Sequence, residues 1–157
     1  MKQEILNQYG HFWRTYRDIC KGFETQSWKT LGFGVTQPDR LALHILQSAI
    51  FYMEGRMLLV RKDGSLIDNH SSELEKDALP DVEDVLFMLE TVEEKIEAWI
   101  RDMDFAGKNE TYPWTGETAL SVSLFLLRHN QYHLGEMNAL LNEQLRGAAD
   151  DYFAKTL

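Results

Sequence analysis

Four amphipathic helical stripes, no sustained alternation of period two and no internal repeat make this chain all-α, and a four-helix bundle in particular. With 157 residues, 44% of them hydrophobic, it has the size of one ordinary domain spanning residues 1–157, able to bury a core without disulfides or a structural metal.

The first stripe is Ile5, Tyr9, Phe12, Trp13, Tyr16, Ile19, Cys20 and Phe23, apolar residues recurring at three- and four-residue steps. His11 falls away from it, beside Asn7 and Arg14, and reads as solvated. Cys20 lies on the stripe as a buried structural thiol. As the only cysteine it excludes an intramolecular disulfide framework and fits a reducing, cytoplasmic setting. Residues 24 to 38 hold Gly32, Gly34 and Pro38 and form a connection from which Trp28, Leu31 and Phe33 can tuck back onto the bundle.

Pro38 suits the first turn of a second helix, with Asp39 near its positive end, and this helix runs to about Val60. Leu41, Ile45, Phe51, Tyr52 and Leu58 form its apolar side, and His44 lies there too. From Arg61 to Leu79 the chain turns polar, with Lys62-Asp63-Gly64-Ser65 as a turn signal and His70 as a loop residue. A connection this long can cross from one end of the bundle to the other, so helices two and three can run in the same direction.

Pro80 opens the third helix, with Asp81, Glu83 and Asp84 crowding its first turn. Val82, Val85, Leu86, Leu89, Val92, Ile96, Trp99, Ile100 and Met103 make its stripe, opposite a solvated run of Glu93, Glu94, Lys95 and Glu97. Gly107 and residues 109 to 116 break the pattern, and Tyr112 and Trp114 read as packing residues near the mouth of any pocket. The fourth helix starts near Glu117 or Thr118, reaches about Leu145 and ends at Gly147 as a C-cap.

Charge excludes some functions. With 25 acidic against 16 basic residues the formal charge is −9, which opposes non-specific binding to nucleic acid or anionic lipid, and arginines such as Arg14, Arg17, Arg40, Arg56 and Arg128 are scattered singly. The N-terminus has no apolar stretch of the kind a secretory signal needs, and no apolar run approaches the roughly 18 residues of a membrane span.

The fourth helix carries the chemistry, in Arg128-His129-Asn130-Gln131-Tyr132-His133-Leu134-Gly135-Glu136. At 3.6 residues per turn, His129 and His133 stand about 40° apart and Glu136 about 20° to the other side of His129, on a face shared with Val122, Phe125, Leu126 and Leu140. A lone inward histidine is ordinarily a core residue with a hydrogen-bond partner. Two on one stripe, with His44 on another, point instead to metal, because neutral imidazole nitrogens suit Zn, Ni, Cu or Fe and a metal offsets their desolvation. Three protein ligands with an open position make a catalytic rather than a structural arrangement. The zincin motif needs Glu after the first histidine, where Asn130 stands, and ferritin-like sites need Glu three residues before each histidine, where Leu41, Leu126 and Asn130 stand. Glu136 is open to several readings: fourth ligand, acceptor orienting His133, general base, or a carboxylate bonded to a neighbouring helix.

These residues of the last helix, with Leu43-His44-Ile45-Leu46 early in the second, resemble the DinB-like (YfiT-like) superfamily of bacterial metal-binding four-helix bundles. The resemblance spans nearly the whole chain. It implies that His44, His129 and His133 hold one divalent ion, usually Ni or Zn, in a bundle of up-down-down-up order often found as a homodimer. It also implies candidate activities, since family members include thiol-dependent transferases and isomerases using mycothiol, bacillithiol or glutathione. The expected activity is therefore transfer of a small thiol to an electrophile. Two alternatives stand beside it: a hydrolase in which metal-activated water loses its proton to Glu136, and a non-catalytic, stress-associated or binding protein with a structural metal.

Overall fold

Residues 1–145 are described in the computed structural model of the protein, and helix accounts for 70% of it. Four helices are long: α1 (Lys2–Gly22), α3 (Pro38–Glu54), α4 (Val82–Asp102) and α5 (Ala119–Leu145). A short α2 (Thr25–Thr30) and a two-stranded antiparallel hairpin, β1 (Leu59–Val60) and β2 (Leu66–Ile67), complete the named elements apart from single 3-10 turns. The expected C-cap at Gly147, and Tyr152 and Phe153 beyond it, lie outside the described residues.

α1 follows the sequence closely, burying Ile5, Tyr9, Phe12, Trp13, Tyr16, Ile19 and Cys20 on one face and leaving His11 exposed. α4 buries Val85, Met88, Leu89, Val92, Ile96 and Ile100, and the Asp81 carboxylate caps it by accepting a hydrogen bond from the Asp84 N–H at 2.8 Å. Each of these two helices packs on the other, α1 also packs on α5, and α3 packs on both α4 and α5. Contacts at the seams register the pairs. Lys2 Nζ donates to the Arg101 carbonyl and Arg17 pairs with Glu93 at 2.6 Å, while the Tyr9 hydroxyl donates to the Ser123 carbonyl and Gln144 bonds the Gly22 carbonyl and the Glu24 N–H. Glu54 at the end of α3 pairs with Lys95 of α4.

Three local features depart from the periodicity. α3 stops at Glu54 instead of continuing to Val60, because Gly55 takes a left-handed φ of 74° and returns its N–H to the Phe51 carbonyl at 2.8 Å. The apolar residues beyond it enter the hairpin, where Leu59 and Ile67 are buried and Val60 and Leu66 face out around the Lys62–Ser65 turn. A two-residue strand is too short to show an alternation in sequence. In the connection after α1, Trp28 tucks in as expected, 1% exposed with its indole N–H donating to the Pro80 carbonyl at 3.0 Å. Phe33 does the opposite and is 89% exposed.

Asp39 is more than a dipole partner. It is fully buried, its Oδ2 lies 3.8 Å from Lys29 Nζ on α2, and burial raises its carboxyl pKa against the opposing pull of that lysine. The pair ties the short α2 to the start of α3. Among the described residues, no helix is long and apolar enough to cross a membrane.

Candidate metal centre

α3 and α5 meet with polar side chains in their seam. The buried line of α5 runs through Val122, Leu126, Asn130, Leu134, Met137 and Leu141, so His129 and His133 sit one step to its side and are half-buried rather than sealed in the core. His44 occupies the equivalent flank of α3, between buried Leu43 and Ile45. Imidazoles at the edge of a core can be reached from solvent.

The three histidines come together. One ligating nitrogen from each lies within 4.8 Å of the others, close enough to bind a metal ion. His44 Nε2 and His129 Nε2 are 3.1 Å apart, and the rings of His44 and His133, and of His129 and His133, are centred 4.6 Å from each other. Two nitrogens bound tetrahedrally to one Zn at 2.0–2.1 Å would lie about 3.3 Å apart, so the observed spacing needs only a small adjustment. The Ser48 hydroxyl lies 3.4 Å from both His44 Nε2 and His129 Nε2.

Glu136 resolves into a definite place. Its Oε2 accepts from His133 Nδ1 at 2.7 Å across one helical turn, which leaves Nε2 of His133 as the nitrogen free to ligate. Burial, reinforced by the neighbouring His133, His129 and His70, pulls the His44 pKa down to about 3. Burial and His133 lower that of His129 as well. Both rings are therefore neutral at physiological pH, as a metal ligand must be.

His70 belongs beside this group, which the loop reading missed. Its ring lies edge-to-face with His44 at 5.4 Å between centroids. The loop around it is fastened to α3: buried Gln47 accepts the Ser71 N–H at 2.9 Å and donates to the Asn69 carbonyl at 2.7 Å, and Arg40 donates to the Ser71 carbonyl at 2.5 Å. A glutamine amid the apolar residues of the second helix was the available signal, although sequence alone does not say which backbone it holds. Asn130 was also passed over as a structural residue. It is fully buried and its amide donates to the Ile45 carbonyl at 3.3 Å, pinning α5 to α3 between His129 and His133.

On the far side of the site, Phe125 stacks on His129 and touches Tyr52, and Tyr52 in turn contacts Tyr112. Behind these aromatics is a cavity of about 570 Å³ lined by Tyr52, Gly55, Trp99, Met103, Tyr112 and Val122 among others, with no histidine in its wall. The three imidazoles are therefore no part of that cavity's lining. Trp114 is 62% exposed, with its indole N–H donating to Tyr52 Oη, and Arg128 lies over the Phe125 ring.

Comparison of the chain with family models, with curated proteins and with solved structures returns no match.

Proposed function

We propose that this protein is a divalent-metal-binding four-helix bundle of the DinB-like kind, holding one Zn or Ni ion on His44, His129 and His133 and using it to transfer a small thiol to an electrophile. The observation that carries the metal reading is the convergence of three imidazoles from two helices on one point, with Glu136 orienting one of them. The bundle's up-down-down-up order has support of its own. Lys2 beside Arg101 and Arg17 beside Glu93 set α1 against α4, whereas Tyr9 with Ser123 and Gly22 with Gln144 set α1 along α5. His44 with His129 and Tyr52 with Phe125 set α3 against α5.

A divalent ion held by three neutral nitrogens lowers the pKa of a thiol bound at its open side, raising the thiolate fraction at neutral pH. The chain's own residues do the rest: His44, His129 and His133 supply lone pairs, Glu136 fixes the tautomer of His133, and Asn130 holds the two helices in register. Hydrolysis with Glu136 as proton acceptor has less support, because the Glu136 carboxylate is engaged with His133 Nδ1. The resemblance further favours a homodimer, which light scattering on the purified chain would test.

Metal analysis of protein purified without a histidine tag tests the centre. The expected result is bound Zn or Ni that is lost in His129→Ala and His133→Ala; metal content unchanged in these variants would sink the reading. Incubation of the loaded protein with an electrophile and bacillithiol, mycothiol or glutathione in turn tests the activity. Turnover of an ester or amide without thiol, abolished by chelation, would move the assignment to hydrolysis. No turnover, together with a large fall in melting temperature on chelation, would move it to a structural metal.

A further inference from the structure

We infer that His70 is a fourth functional residue of this centre, a hydrogen-bond donor to an anionic ligand bound at the open side of the ion rather than a ligand of the ion itself; the inference rests on the metal reading above. Its nitrogens have separate duties. Nδ1 accepts the Ser72 N–H at 3.1 Å and lies 2.6 Å from the Ser72 hydroxyl, so in the neutral ring the proton resides on Nε2. Among the described residues Nε2 has no hydrogen-bond partner, while the ring as a whole rests against His44. His70 also stands outside the set of nitrogens that lie within 4.8 Å of one another, which separates a donor from a ligand.

The position is built rather than incidental. Loops carry function when a rigid element holds them, and three hydrogen bonds from Gln47 and Arg40 fasten Asn69 and Ser71 on either side of His70 to the helix that bears His44. A fourth bond, from the Glu73 N–H to the His70 carbonyl at 2.9 Å, closes the turn. The half-buried ring thus lies edge-to-face against His44 on a third chain segment, separate from α3 and α5. A donor so placed selects ligands that keep an accepting lone pair when coordinated, such as a thiolate or a carboxylate.

The test uses the full chain loaded with cobalt(II) and titrated with azide at fixed pH, followed by the visible cobalt bands. His70→Ala is expected to bind as much cobalt as the unsubstituted protein but to weaken azide binding about ten- to a hundredfold, the range for a hydrogen bond to a charged group. His70→Gln, which keeps a side-chain N–H, recovers part of the affinity. Gln47→Leu, which removes two of the three bonds that hold the loop and leaves the His70 side chain itself unaltered, weakens azide binding as His70→Ala does and retains cobalt. Undiminished azide affinity in cobalt-loaded His70→Ala would overturn the donor role alone. Loss of cobalt from His70→Ala as complete as from His44→Ala would overturn it in favour of direct ligation. Failure of the unsubstituted protein to take up cobalt would overturn the metal reading and this inference with it.

Discussion

The face that α1 turns to α4 and the seam between α3 and α5 are made of similar lengths of helix with opposite chemistry. The first is apolar and aromatic: Phe12, Trp13 and Tyr16 pack edge and face, Ile19 and Ile96 are buried, and the charged pair Arg17–Glu93 stays at the margin. The buried hydroxyls of α1 all donate to backbone carbonyls, Tyr9 to Ser123 of α5, Tyr16 to Ala42 of α3 and Thr15 to His11 of its own helix, and the Trp13 indole N–H alone is buried there without a partner among the described residues. The second carries Ser48, Asn130 and three histidines at or beside buried positions, while buried Gln47 of α3 turns to the adjoining loop and Asn138 is buried further along α5. Asn130 and Asn138 each bury a side-chain oxygen without a partner, at a cost of about 1–3 kcal/mol apiece. Leucine at those two positions would avoid that cost.

The comparison breaks hardest under truncation of the apolar side. Ile96→Ala removes a side chain that is 2% exposed and should destabilise the protein by about 2–5 kcal/mol in denaturant melts while leaving metal content unchanged. A parallel loss of metal would mean that the two seams are not independent.

Acid should act on the other seam. The His44 pKa is about 3 in the fold against an ordinary 6.5, so the unfolded chain takes up that proton first. The stabilisation is present above pH 6.5 and is lost as pH falls toward 3. Thermal melts of metal-free protein between pH 7 and 4 should therefore fall more steeply than those of His44→Leu, and equal slopes would detach His44 from the effect.

The smaller effects concern tuning. Glu136→Gln should weaken metal binding about 10- to 100-fold without abolishing it, since it loosens the hold on His133 and removes no ligand; competition with a chromophoric chelator measures this. Ser48→Ala should lower the stability of metal-free protein by about 0.5–1.5 kcal/mol, because its hydroxyl offers the crowded nitrogens of His44 and His129 a partner when no ion does. The loss should shrink once metal is bound.

Sequence periodicity reads the apolar side almost completely, because each buried residue of α1 and α4 is placed by its own helix and the signal repeats every turn. It reads the polar seam only in part. His129 and His133 are visible as a pair on one helix, and His44 as an inward histidine on another, but the approach of His44 to the pair depends on how α3 and α5 pack. Glu136 became definite only through the rotamer that meets His133. His70 was illegible for a stronger reason: its place depends on Gln47 reaching across to a loop 22 to 24 residues further along the chain. The end of α3 escaped because a glycine at φ 74° stops the backbone without interrupting the run of apolar letters.

Cys20 is the chain's one cysteine and lies fully buried beside Tyr16, with burial pushing its thiol pKa up. The folded protein consequently brings no thiol of its own to solvent. In a mixture of protein, small thiol and electrophile, every thioether newly formed from a thiol traces back to the added thiol. A cysteine introduced on the surface would likewise be a single-site handle, open to a spectroscopic label while Cys20 stays out of reach.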